Sequence, residues 1–358
     1  MSVKMKERLF NLVVSNVVSN AVNIGNRLDL FKKLAEISSE QCPVLPEELA
    51  RATGCKERYI REWCNCLACG EIIEVNEEEK FWIAKENVET LTTSGFELVS
   101  HSLLPSLLAP LNQLIECFKL DGPHGIDYSQ FNDFERLQSS HSIALHEKHI
   151  IPDLIPKIGN GIEERLKTGI RVLDVGCGNG FHSSLLAEEY SNSHFVGLDI
   201  GEEAIRQAGQ RKMKDCSLFS NLEFVLCDAA KMPESWSNSF DLVLIFDACH
   251  DQTRPDLCIR EIHRVLKPEG VFALVEKVGS SNVYTDKEIF GPMAAMLYGC
   301  SLFHCLPVGS NSPDALCYGS MWGEKRALEL LNRCGFDNVQ VVSTPFFPNN
   351  QLYLSKKI

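Results

Sequence analysis

The chain has 358 residues, 44% of them hydrophobic and 23% charged, and a net charge of −13. That length allows about two domains with sizeable cores. The acidic balance argues against a partner held through nucleic-acid phosphates, and no apolar run reaches the roughly 20 residues of a membrane span.

In chain order, the first predicted element is an amphipathic helix. The stretch MKERLFNLVVSNVVSNAV starts like a secretory signal, charged and then apolar. Ser and Asn interrupt it, however, and Phe10, Val13, Val14, Val17, Val18 and Ala21 recur at helical spacing. Without a secretory signal, the fifteen cysteines read as reduced thiols of a cytoplasmic protein. Cys64, Cys66 and Cys69 in CNCLACG fit no usual zinc spacing and read as small residues of a helix core.

Residues 1–95 read as one unit. Two helical patterns reach RLDLFKKLAEI, then come a helix, a turn at Gly54, a second helix ending near Gly70 and two short strands around the tip Asn76–Lys80. This is the pattern of a winged helix. A DNA-binding wing would be basic, whereas this tip reads NEEEK, and Glu57 and Glu62 stand among Lys56, Arg58 and Arg61. A dimerisation or substrate-covering module is the expectation. Residues 96–165 read as a helical connector or substrate cover. His141, His146 and His149 cluster there, but no carboxylate completes a metal set, and no metal site is expected anywhere in the chain.

From residue 166 to 358, apolar strands alternate with helices, the mark of an α/β domain with a parallel sheet. IRVLDVGCGNGFHSSLLAEEY is a buried strand, a turn carrying Gly176, Gly178 and Gly180, and a helix. The glycines permit a tight turn and close approach of a ligand to the backbone around Cys177. Nineteen residues after Gly180 a second strand, HFVGLD, ends at Asp199, followed by Ile200. An acid there can take both ribose hydroxyls of an adenosine cofactor. The loop is G-x-G-x-G rather than the G-x-G-x-x-G of dinucleotide sites, and Asp174 stands two residues before the first glycine. That carboxylate would repel a pyrophosphate and favour a cation, such as the amino group of a methionine moiety. A third strand, LEFVLCD, ends at Asp228 and Ala229, where an adenine amino group could be read.

VLDVGCGNG, VGLDI, FVLCDAAKMP, FDLVLIFDACHD and HRVLKPEGVFALVEKV stand in the order seen in class I S-adenosylmethionine-dependent methyltransferases, and the chain resembles them over about residues 165–358. The resemblance implies a Rossmann-like α/β fold of seven strands, one of them antiparallel, behind a mainly helical winged-helix domain. It also implies S-adenosylmethionine as methyl donor and S-adenosylhomocysteine as product. Asp174 and the glycine loop (Gly176, Cys177, Gly178, Gly180) would hold the methionine part and Asp199 with Ile200 the ribose end. Asp228 and Ala229 would meet the adenine, with Phe246 at the end of the fourth strand beside the cofactor. With its winged helix, the whole chain is similar to small-molecule O-methyltransferases and to a bacterial and animal winged-helix methyltransferase group. Pairing through the N-terminal domain into a homodimer is what those relatives imply.

The fourth strand, DLVLIF, runs straight into Asp-Ala-Cys-His-Asp-Gln. In an open α/β sheet the ligand lies beyond the carboxyl ends of the strands at the switch point. The Gly176 loop and this turn should therefore be neighbours. His250 has the pKa for a general base on a hydroxyl acceptor, and Asp247 or Asp251 could orient it. Related plant enzymes carry His-Asp-Trp here; this chain has His250, Asp251 and Gln252, and Glu276 falls where those enzymes place a glutamate that steadies the histidine. A thiol acceptor would need little help from a base, so a thiol S-methyltransferase working by proximity is an alternative. An S-adenosylmethionine-binding regulator that uses the winged helix is another. The insertion 279–320 is apolar and glycine-spaced, and with Met293, Met296, Tyr298, Phe303, His304 and Trp322 it is placed to cover a small-molecule acceptor.

Overall fold

The computed structural model describes residues 2–93, 95–131, 143, 145–214 and 220–358. These form two compact units. The first reaches Ala109; the second takes Pro110 to Phe131 and everything described from residue 143 onward.

The first unit opens on helix α1 (Ser2–Arg27), followed by α2 (Leu30–Ile37), α3 (Pro46–Thr53) and α4 (Glu57–Cys69). α3 ends at Gly54, whose φ of 68° closes the helix in the left-handed region that a side chain disfavours. Strands β1 (Glu74–Val75) and β2 (Phe81–Trp82) pair antiparallel as a short wing. Asn76 Oδ1 accepts the Glu78 and Lys80 amides and sets the wing turn. Leu30, Phe31, Leu34, Leu49, Ile60, Trp63 and Leu67 fill the core of this unit. Only the C-terminal part of α1 contributes: Val22 is buried and Trp63 Nε1 donates to the Ala21 carbonyl. Leu9, Phe10, Leu12, Val13, Val14 and Val17 are exposed.

The basic residues of α4 are matched by acids. Arg61 pairs with Glu57 and Glu47, and Arg58 with Glu62. No helix among the described residues is long and apolar enough to cross a membrane.

The second unit is a seven-stranded sheet of order β5-β4-β3-β6-β7-β9-β8. Its strands are β3 (Arg171–Val175), β4 (His194–Asp199), β5 (Leu222–Leu226), β6 (Phe240–Phe246), β7 (Leu266–Lys277), β8 (Gln340–Ser343) and β9 (Asn350–Lys356). β9 is the antiparallel strand, pairing with both β7 and β8. Order reverses between β3 and β6, which pair in parallel with Val175 opposite Ile245.

Two apolar layers cover the sheet because successive side chains point to opposite faces. Leu173, Val243 and Ile245 join one layer with Ile259, Ile262 and Leu330. Val172, Leu242 and Leu244 join the other with Ile150, Leu154 and Leu166. Both faces being covered explains why these strands read as continuous apolar runs. Trp322, expected on the cover of the site, is instead fully buried in the first layer. The insertion 279–320 folds as helices Val283–Phe290 and Pro292–Cys300, a π-turn Ser301–Cys305 and a short helix Leu306–Gly309.

Candidate methyltransferase site at the switch point

The glycine loop rises from β3 and is tied to the end of β4, since the Gly176 and Cys177 amides both donate to the Leu198 carbonyl. Gly176, Gly178 and Gly180 have φ of 71°, 53° and 73°. A Cβ on Gly176 would stand 2.5 Å from the Ala248 Cβ, so the loop and the turn after β6 are in direct contact, as the switch point requires. A Cβ on Gly178 would meet nothing within 4 Å, so the backbone there faces open space. Cys177 turns its thiol inward over Gly197 and packs rather than faces that space.

Around the loop stand two carboxylates. Asp174 is 3% exposed and accepts a 2.6 Å hydrogen bond from Ser183 Oγ. Burial raises its pKa from 3.8 to about 6, against the Ser183 bond and with help from the Asp199 charge. Asp199 accepts the Gly178 amide at 2.9 Å and the Gly201 amide at 2.8 Å, and burial raises its pKa also. Each oxygen keeps a second lone pair. Ile200 beside it is exposed. Asp228 lies exposed after β5 with Oδ1 on the Ala230 amide, and Ala229 is buried behind it. Phe246 closes β6, its ring 4.3 Å from that of His182 in the first turn of the helix after the glycine loop. His182 in turn meets His146 at 2.7 Å. His149 instead binds Asp153, and His141 lies outside the described residues.

The turn after β6 is clamped from two strands. Asp247 has a φ of 50° and accepts Lys277 Nζ and Asn350 Nδ2, each at 2.6 Å. Both of its oxygens are thus committed to holding the turn. The acid on the His250 ring is Glu276, not Asp247: Glu276 Oε2 binds His250 Nδ1, and its Oε1 accepts the Cys249 and His250 amides at 3.1 and 3.2 Å. Glu276 is fully buried and His250 is 3% exposed. Burial alone would lower the imidazole pKa, but the Glu276 and Asp251 carboxylates outweigh it and hold it well above the ordinary value. Asp251 Oδ1 lies 3.3 Å from His250 Nε2 without forming a hydrogen bond. Cys305, from the insertion, brings its thiol beside His250 and Asp251, and His304 stands 4.0 Å from Asp251 Oδ2 with Phe131 against its ring.

Cys305, Lys277 and Asn350 had no signal at the level of spacing, because each reaches the turn from a distant strand or helix.

Residues 166–298 match the methyltransferase domain family, and residues 9–93 match the Rv2258c-like winged HTH domain. The chain carries a methyltransferase domain behind a winged-helix domain. The chain is 38% identical over 148 residues to a sterol 24-C-methyltransferase of Gibberella zeae, covering 41% of this chain and 35% of that protein. It is 38% identical over 104 residues to a fatty-acid O-methyltransferase of Mycolicibacterium smegmatis, covering 29% and 36%. The chain therefore spans about a third of the length of these curated relatives.

Solved structures match over nearly the whole chain at low identity and show the fold. A Nostoc punctiforme protein superposes with a TM-score of 0.72 at 19% identity over 98% of each chain. The mitomycin 7-O-methyltransferase MmcR gives 0.70 at 15% over 99% and 98%. Human N-acetylserotonin methyltransferase in complex with SAM gives 0.63 at 15% over 98% and 97%.

Proposed function

We propose that this protein transfers the methyl group of S-adenosylmethionine to a small-molecule acceptor, with His250 as general base where the acceptor is a hydroxyl. The observation that carries the reading is the Glu276–His250 pair, whose histidine is set in a turn that touches the glycine loop. The cofactor supplies an electrophilic methyl on a sulfonium; the chain supplies position, charge and a proton acceptor.

The residues fit such a cofactor. Open space over Gly178 admits its backbone-hugging end, and the buried Asp174 carboxylate favours its ammonium group. The free lone pairs of Asp199 suit the ribose hydroxyls, and exposed Ile200 and Asp228 suit the adenine. On the acceptor side, Glu276 accepts the hydrogen bond of Nδ1–H and leaves Nε2 as the basic nitrogen of the neutral ring. An acceptor hydroxyl at Nε2 would lose its proton to the ring during methyl transfer, and Glu276 would stabilise the imidazolium that forms.

The acidic surroundings of Arg58 and Arg61 support a structural rather than a DNA-reading winged helix, and the exposed apolar face of α1 supports a homodimer. A panel of phenols, aliphatic alcohols, thiols and amines with methyl-labelled cofactor tests the reading. Label should move to at least one small acceptor, and a panel that leaves all label on the cofactor while the protein still binds S-adenosylhomocysteine would favour a sensor instead.

A further inference from the structure

The turn after β6 and the insertion gather three ligand-type side chains: His250, Asp251 and Cys305 each place a ligand atom within 4.8 Å of the others. We propose that these three hold one thiophilic divalent cation of the zinc class, and that its binding silences His250.

Four features carry the assignment. The first is spacing. Two light ligands about 2.0–2.1 Å from a tetrahedral zinc stand roughly 3.3 Å apart, and His250 Nε2 lies 3.3 Å from Asp251 Oδ1. The second is that this contact is not a hydrogen bond: Asp251 Oδ1 is buried with no hydrogen-bond partner, so its lone pairs are left for a metal ion that displaces the His250 proton. The third is the far side of the ring. Glu276 holds Nδ1, so Nε2 is the nitrogen that carries the lone pair once the ring is neutral, and a carboxylate on the non-ligating nitrogen is the usual support of a metal-binding histidine. The fourth is donor type. One nitrogen, one sulfur and one carboxylate oxygen suit zinc or cobalt and disfavour magnesium or calcium.

Binding is a ligand exchange without redox. The Cys305 thiol and the protonated His250 Nε2 each release a proton to solvent as the metal–sulfur and metal–nitrogen bonds form, and three protein ligands leave a fourth position open to water. The consequence rests on the proposed role of His250: with its Nε2 lone pair on the metal, the ring cannot accept a proton from a hydroxyl acceptor. Asp174, Asp199 and the glycine loop lie on other strands, so cofactor binding should persist.

Cobalt(II) titration of the reduced full chain tests this through the sulfur-to-cobalt charge-transfer band, which reads the site without turnover. The wild type should show one tight equivalent with that band. Cys305→Ser should lose the band and Asp251→Asn the tight affinity, while Glu276→Gln should weaken binding by about 10–100-fold. A Cys66→Ser/Cys69→Ser double variant should keep the site, which separates it from the other cysteines. Thermal unfolding and S-adenosylhomocysteine affinity check that each variant is folded. A Cys305→Ser protein that is folded and gives the wild-type cobalt spectrum overturns the site. Zinc should also suppress turnover, reversibly with chelator, in wild type but not in Cys305→Ser; equal suppression in both overturns the silencing. If cobalt binds as expected while His250→Ala turns over like wild type, the base role fails and the metal site stands.

Discussion

At the scale of single residues, environment sets what each titratable group can do. The Glu276 and Asp251 carboxylates raise the His250 pKa well above its ordinary value of about 6.5. A base must be neutral to work, and the neutral fraction grows with pH. Turnover of a hydroxyl acceptor should therefore climb through a midpoint above 6.5 and favour alkaline conditions. His250→Ala should lower kcat by about 10²–10⁴ and remove that limb, with cofactor affinity kept within a few-fold. A variant of undiminished kcat across the pH range would make the histidine structural. Asp174 works in the opposite sense. Folding raises its pKa from 3.8 to about 6, so its contribution to stability is present below 3.8 and lost as pH rises through about 6, where the buried charge forms. A cationic ligand compensates that charge only once it exists. The thermal shift given by S-adenosylmethionine should thus be larger at pH 7 than at pH 5, and an equal shift at both would remove Asp174 from the cofactor site.

At the scale of elements, the site is a contact between two turns. Gly176 has a φ of 71° and no room for a Cβ against Ala248. Gly176→Ala therefore meets both left-handed strain and overpacking, roughly 1–3 kcal/mol together, and should lower the melting temperature and the cofactor affinity in parallel. Unchanged affinity would mean that the loop adapts and does not cradle the ligand. These turns were legible in the sequence because each follows a contiguous apolar strand: Asp174, Asp199, Asp228 and His250 sit at strand ends by a local rule. Glu276 was legible only through the resemblance to enzymes that place a glutamate there. The roles around His250 were less so. Asp247 precedes it by three residues but is drawn off by Lys277 and Asn350, a competition that exists only once β7 and β9 pair around it. Cys305 is 55 residues away in sequence and comes close only through the fold of the insertion. Trp322 follows the insertion yet belongs to the layer under the sheet, because its indole completes a core that Leu330 and Phe336 begin.

At the scale of the whole molecule, the N-terminal half of α1 sets a further expectation. Phe10 is 67% and Val13 62% exposed, with Leu9, Leu12, Val14 and Val17 on the same helix. Apolar exposure of that extent marks an interface, and a second copy is the expected occupant. Light scattering of the full chain at micromolar concentration should give twice the 40.1 kDa chain mass; a monomer would leave the face to another partner. The claim on which the rest depends is that the switch point binds S-adenosylmethionine through the glycine loop and Asp199. Calorimetry with S-adenosylhomocysteine on wild type and Asp199→Ala tests it most directly. One site per chain is expected, with affinity at least about tenfold lower in the variant, since a charge-assisted hydrogen bond is worth roughly 1.5–3 kcal/mol. Equal affinity in a folded Asp199→Ala protein, or tight binding of NAD in place of S-adenosylhomocysteine, would contradict the account.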